Sequence, residues 1–186
     1  MGLMTKSEYI ESLRRMKPTV YMFGEKIDRV VDHPRLRAGI EATAATYELA
    51  ETPEYRDLIT TRSTLIDGPV NRFNKPPESI EDLVARVKIN RLLGQRVGTC
   101  FQRCTGLDCM VALSVTTYDV DRKHGTGYHG RFTDFLKHMQ NNDLTANAGV
   151  TDVKGDRNLG PKDQADKDVY LHVVEKRADG IVVRGA

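Results

Sequence analysis

The spacing of the apolar residues constrains this chain most, because it changes abruptly at one point. Up to Asn141, apolar side chains recur at steps of three and four, the period of helices with one buried face. Thr5 and Glu8 form a capping box ahead of Tyr9, Ile10, Leu13 and Met16, and Pro18 ends that run. Val20 to Phe23 is a short extended piece before Gly24. After an Asp32-His33-Pro34 turn, a helix covers Leu36 to Ala50 with Ile40, Ala44 and Tyr47 on one face. Thr52-Pro53 restarts a helical turn around Tyr55 and Leu58. Residues 67–77 read as loop. Ser79 opens the next helix, with Asp82 placed to complete a box, Ile80, Leu83, Val84 and Val87 as its buried stripe, and Gly94 as its break. A long helix is expected from Gln95 to Tyr118, facing inward through Val97, Cys100, Phe101, Cys104, Leu107 and Val111. A last one carries Phe132, Phe135, Leu136 and Met139.

Beyond Asn141 this period disappears. Residues 145–168 are rich in Asp, Gly, Lys and Asn, and residues 168–186 read as a strand, an Asp179-Gly180 turn and a second strand. Two strands alone do not make a stable sheet in water, and Ile181-Val182-Val183 would present an apolar edge. Either these strands dock on the helices or the polypeptide is incomplete at Ala186; the second reading is the one adopted.

The charge balance excludes some function classes. Lys and Arg number 28 against 26 Asp and Glu, a net +2 with the signs interspersed, which is not the basic field of a nucleic-acid binder. No apolar run approaches the ~20 residues of a membrane span, and the N-terminus has neither a signal-peptide core nor a myristoylation pattern. Three clustered cysteines are not a disulfide framework and fit a reduced, cytoplasmic protein.

Those cysteines carry the chemistry. On a continuous helix Cys100 and Cys104 share a face, with Cβ atoms ~6 Å apart, where two thiolates can serve as two corners of a metal centre. Cysteines in an apolar stripe also serve as small packing residues, and spacing alone leaves both roles open. Cys109 falls about 180° from Cys100 on such a helix and is expected to be a buried packing residue. None of His124, His129 or His138 has an obvious zinc-pairing pattern.

The segment RLLGQRVGTCFQRCTGLD closely resembles the cluster-binding helix of the 4-hydroxybutyryl-CoA dehydratases, a branch of the 4-hydroxyphenylacetate 3-hydroxylase flavoprotein superfamily. VYMFGEKI, DHP, TYELA, INRLLGQ, TDFLKHMQNNDL, TDVKGDR and VVEKRADGIVVRGA extend the likeness over essentially the whole chain. The resemblance implies a mainly α fold: the N-terminal helical domain of an acyl-CoA-dehydrogenase-like flavoprotein over residues 1–144, then the first strands of a β domain over 145–186. It also implies homotetramers. The implied reaction is dehydration of 4-hydroxybutyryl-CoA to crotonyl-CoA, with isomerisation of vinylacetyl-CoA. FAD would relay one electron through a substrate radical, and a 4Fe-4S cluster would act as Lewis acid.

Carried over by position, the resemblance makes Cys100 and Cys104 cluster ligands. A histidine and a third cysteine beyond Ala186 would complete the set, so the 186-residue chain alone is expected to be inactive. Gln102 would line the substrate and flavin site, and Arg91 would stand near it. The flavin-contacting loop would be Val150, Thr151, Asp152, Val153, Lys154, Gly155, Asp156 and Arg157. Val153 replaces a proline usual in the family, which loosens that loop. Two rivals stand beside this reading. A reduced-flavin-dependent 4-hydroxyphenylacetate 3-monooxygenase-like enzyme would have no need of the paired cysteines, and a truncated assembly or binding module would have no catalysis.

Overall fold

The computed structural model describes residues 2–149 and 153–185. The chain separates into two compact units, residues 1–147 and 148–186. The described residues of the first unit hold six α-helices. The opening box forms as the sequence implies: Glu8 N–H donates to Thr5 Oγ1 at 3.1 Å and Thr5 N–H to the Glu8 carboxylate at 2.8 Å, starting α1 (Lys6–Arg15). A short hairpin follows, β1 (Val20–Met22) against β2 (Glu25–Ile27). Pro34 and Pro53 each occupy a first helical turn, where the missing N–H costs nothing, and open α2 (Pro34–Glu51) and α3 (Pro53–Ile59). Tyr9 stacks on Tyr47 with ring centroids 4.6 Å apart, tying α1 to the middle of α2.

The stretch expected as loop contains structure. β3 (Thr60–Arg62) pairs antiparallel with β4 (Pro69–Asn71), and Asn71 caps a 3₁₀ turn over Arg72–Asn74 by accepting from Phe73 N–H. Three-residue strands are too short for a periodic signal. Ser79 then caps α4 (Ile80–Val97). Asp82 does not complete the box: its carboxylate accepts from Arg72, Lys75 and the Glu78 N–H instead. Gly94 lies inside α4, and Gly98, at φ +63°, ends it in the left-handed region.

Two helices, not one, follow the pattern expected from Gln95 to Tyr118. Residues 98–103 are non-helical, and α5 (Cys104–His124) starts only after them. Asp121 at the far end of α5 accepts from the Tyr128 and His129 N–H groups, starting α6 (Tyr128–Asn141). The buried positions also differ from the expected stripes. Ile80, Leu83, Val84 and Val87 are exposed, Ile80 to 75%, and Phe135 is exposed too. α4 is buried through Ile89 and Leu93, which pack with Leu49, Ile59, Phe73, Phe101 and Leu107. A second cluster joins Met110 to Phe132, Leu136 and Met139.

The second unit carries a 3₁₀ turn (Pro161–Asp163) and a hairpin, β5 (His172–Arg177) against β6 (Gly180–Arg184), with a bulge between Val173 and Glu175. No helix among the described residues is long and apolar enough to cross a membrane.

Two consequences are measurable. A Cβ on Gly106 of α5 would lie 2.2 Å from the Ala146 carbonyl oxygen, whereas one on Gly94 meets nothing. Gly106→Ala is therefore expected to destabilise by about 1–3 kcal/mol, and Gly94→Ala to stabilise by up to ~1 kcal/mol, in chemical denaturation. Burial alone would raise the Asp82 carboxyl, but the Lys75 ammonium and the Glu78 N–H hold it below the usual aspartate range. Its contribution is thus present above the ordinary aspartate value and lost as pH falls through the lowered one. Asp82→Asn should cost about 1.5–3 kcal/mol at pH 7, and the difference from wild type should fade in melts taken at pH values well below the ordinary aspartate range.

Candidate functional site

The centre of interest is the six-residue break between α4 and α5. Released from the helix by Gly98, its side chains alternate. Phe101 and Arg103 are buried, while Cys100 and Gln102 are exposed. Phe101 packs on Phe73 with centroids 5.5 Å apart. Arg103 enters the protein completely, with 1% of its side chain exposed. Its Nη2 donates to Asp143 Oδ1 at 3.2 Å and Nη1 to Thr46 Oγ1 at 3.0 Å, and its guanidinium carbon lies 4.5 Å from the Tyr47 ring centroid and 5.3 Å from that of Phe73.

Asp143 is held from three further sides. Oδ2 accepts from Met4 N–H at 3.1 Å, Oδ1 from Asn74 Nδ2 at 3.1 Å, and its carbonyl from the Tyr47 hydroxyl at 2.9 Å. Burial pushes the Tyr47 phenol up, against the opposing pull of the Arg103 guanidinium, so the ring is a neutral donor. The network closes through Gln140, whose Nε2 donates to the Asn74 carbonyl at 2.8 Å.

This geometry corrects the picture of two cysteines one turn apart on a helix. Cys100 lies in the break, exposed, and Cys104, half-buried, is the first residue of α5. The helix stops because a buried salt bridge takes Arg103 and a tilted ring contact with Phe73 takes Phe101, and both outweigh local helical preference. Cys109 is exposed rather than packed, since it lies on the solvent side of α5. No side chain caps the amino end of α5, which leaves that positively biased end open to an anionic group beside Cys104. Among the described residues no three His, Cys, Asp or Glu side chains form a group able to hold a metal, so of a four-ligand cluster Cys100 and Cys104 could supply at most two positions.

Gln102 is left-handed at φ +63°, unfavourable for a residue with a Cβ, and borders an open cleft of about 270 Å³ with Tyr9, Ile40, Thr43 and Thr145. Arg91 is exposed on α4. Of the expected flavin loop, Val150, Thr151 and Asp152 lie outside the described residues. Val153, Lys154, Asp156 and Arg157 are exposed in the second unit. Gly155 is needed for a reason internal to the fold: a Cβ there would come 2.4 Å from Gln164 Oε1. That oxygen accepts from Asp156 N–H at 2.9 Å, while Gln164 Nε2 donates to the carbonyls of Asp156 and Leu159. Sequence reasoning missed the roles of Arg103, Asp143 and Tyr47, although they lie within the RLLGQRVGTCFQRCTGLD, TDFLKHMQNNDL and TYELA segments, and it missed Gln164, which lies in none of them.

Residues 5–186 match the family described as 4-hydroxyphenylacetate 3-hydroxylase N terminal. The 4-hydroxybutyryl-CoA dehydratase/vinylacetyl-CoA-Delta-isomerase of Clostridium aminobutyricum is 54% identical over 184 residues, covering 99% of this chain and 38% of its own. An oxygen-tolerant archaeal 4-hydroxybutyryl-CoA dehydratase from N. maritimus superposes with a TM-score of 0.89 at 44% identity, over 98% of this chain and 36% of that one. The oxygenase component of a 4-hydroxyphenylacetate 3-monooxygenase, complexed with FAD and 4-hydroxyphenylacetate, gives a TM-score of 0.76 at 25% identity, over 98% and 37%. The chain therefore spans well under half the length of these relatives.

Removing one partner of the buried pair leaves an uncompensated charge. Asp143→Ala is expected to cost about 3–5 kcal/mol in equilibrium denaturation, well beyond the ~1 kcal/mol typical of a neutral hydrogen bond.

Proposed function

The chain belongs to the 4-hydroxyphenylacetate 3-hydroxylase N-terminal family, and we propose that the protein carrying it dehydrates 4-hydroxybutyryl-CoA and isomerises vinylacetyl-CoA. The observation that carries this reading is the break before α5. It presents two thiols, Cys100 and Cys104, around an exposed Gln102, while Phe101 and Arg103 pin the same segment inside. The much higher identity to dehydratases than to a monooxygenase supports the same reading.

The groups proposed to bind are FAD and a 4Fe-4S cluster. When bound, the cluster supplies a Lewis acid for the departing hydroxyl and the flavin a one-electron relay. The chain's own residues do the holding and orienting. Cys100 and Cys104 supply soft thiolate ligands at the amino end of α5, where negative charge is favoured; the other ligands come from elsewhere in the protein. Gln102 offers an amide donor and acceptor at the edge of its cleft, fixed by the two buried side chains on either side of it. Arg91 offers a cation on the preceding helix for an acidic group of the acyl-CoA.

The loop of Val150, Thr151, Asp152, Val153, Lys154, Gly155, Asp156 and Arg157 is proposed to contact the flavin. Lys154 and Arg157 are exposed and in no ion pair among the described residues, so both can meet a diphosphate. The Gln164 clamp supplies stiffness that the valine at 153 does not. An acyl-CoA-dehydrogenase-like arrangement, with a helical domain to residue 144 and a β domain from 145, homotetramer assembly and a cytoplasmic location complete the proposal.

The test is iron, acid-labile sulfide and dehydration of 4-hydroxybutyryl-CoA in the full-length protein, purified without oxygen. Cys100→Ser and Cys104→Ser are each expected to lose the iron and to lower turnover more than about 100-fold, while Cys109→Ser keeps both. Flavin without iron, together with hydroxylation of a phenol, would instead establish a monooxygenase.

A further inference from the structure

We propose that Arg103 and Asp143 are a positioning pair: their buried fork sets the geometry at which Gln102 and the two flanking cysteines are presented. The inference rests on the reading of Cys100 and Cys104 as cluster ligands, and it names the device that places them.

The Gly98 N–H still bonds back to the Gly94 carbonyl and the Arg103 carbonyl accepts from Leu107, but residues 99–102 lie outside both helices, so side chains must fix their path. Phe101 supplies an apolar contact, which tolerates rotation. Arg103 supplies direction. A planar guanidinium between Thr46 Oγ1, Asp143 Oδ1 and the Leu144 carbonyl, faced by the Tyr47 and Phe73 rings, has one orientation. Because Cys104 follows Arg103 and Gln102 precedes it, fixing the 103 backbone fixes both neighbours.

The left-handed φ of Gln102 agrees with this. Such a conformation persists in a residue with a Cβ only where its surroundings over-determine it, and Asp143, at φ +44°, is itself left-handed at the other end of the pair. Stability alone does not explain the choice of residues, because well-packed apolar side chains commonly replace buried ion pairs without loss. What they cannot replace is the angular definition of a fork whose two terminal nitrogens meet three acceptors. Arg103 touches no reacting atom in this account and acts through its neighbours.

The experiment uses Arg103→Lys, which keeps the charge but loses the fork, and Thr46→Val, which removes one hydrogen bond and leaves the ion pair in place. Both are made in the full-length protein. Folding is checked by thermal melting and flavin content. The decisive readout is the rate at which iodoacetamide alkylates each cysteine in the metal-stripped protein, resolved by peptide mass spectrometry with exposed Cys109 as internal reference. We expect the ratio of Cys104 to Cys109 labelling to rise several-fold in Arg103→Lys and less in Thr46→Val. In the metal-loaded protein, the electron paramagnetic resonance signal of the dithionite-reduced cluster should shift or lose intensity, and kcat should fall roughly tenfold or more with KM little changed. A lowered melting temperature with unchanged labelling ratio, spectrum and kcat in both variants would make the pair merely structural and overturn the proposal. A wild-type protein without iron would overturn the cluster reading, while the labelling ratio still decides whether the pair sets the segment.

Discussion

A guanidinium with 1% of its side chain exposed requires a counter-charge and acceptors, and much of the first unit is arranged to provide them to its two terminal nitrogens. Asp143 supplies the charge from beyond the end of α6, Thr46 a hydroxyl from α2, and Tyr47 and Phe73 supply ring faces. Asn74, from the 3₁₀ turn after β4, bonds Asp143 and is bonded in turn by Gln140. Met4, ahead of α1, closes the other side of the carboxylate. Segments far apart in the chain thus meet at one ion pair. The apolar clusters supply non-directional burial, and they do not specify which residue faces which. The polar network does, because each group in it has few allowed partners and a high cost when left without one.

That network decides the difference between the helix expected from Gln95 to Tyr118 and the two helices found. Val97, Phe101, Cys104, Leu107 and Val111 follow a helical step, and a local reading runs straight through them. Gly98 permits a break but does not demand one; Gly94, four residues earlier, sits unbroken inside α4. The demand comes from Asp143, some forty residues later, a contact with no sequence signature. Local signals were legible where local physics suffices: the Thr5–Glu8 box, the prolines opening α2 and α3, and the Asp179-Gly180 hairpin turn. The stripe at Ile80, Leu83, Val84 and Val87 shows the opposite limit. Periodicity finds an apolar face but says nothing about what packs on it, and the residues of α4 that reach the core are Ile89 and Leu93.

The candidate site was legible in kind more than in geometry. The resemblance named Cys100, Cys104 and Gln102 and left their support unseen. In the second unit the same division recurs. The resemblance named Gly155 as part of a flavin loop, and the structure adds that the space beside it is taken by the Gln164 amide, which bonds the loop backbone at three points. A glycine that admits a clamp from within makes a loop stiff, and a stiff loop presents its outer residues at lower entropic cost on binding.

Charge at the break follows from the same arrangement. Arg103 stands next in sequence to Cys104, and left unpaired its charge would add to the positive end of α5. The Asp143 carboxylate cancels it inside the protein, so the bias that remains at the first turn is that of the uncapped N–H groups themselves. An anionic thiolate-bound centre at Cys104 would then sit against oriented backbone dipoles rather than beside a mobile cation. Such dipoles need no reorganisation when charge changes nearby. On this view one ion pair serves the site twice. It would fix the direction in which the cysteines point, and it removes from their surroundings a charge whose position would otherwise vary with the motion of the loop.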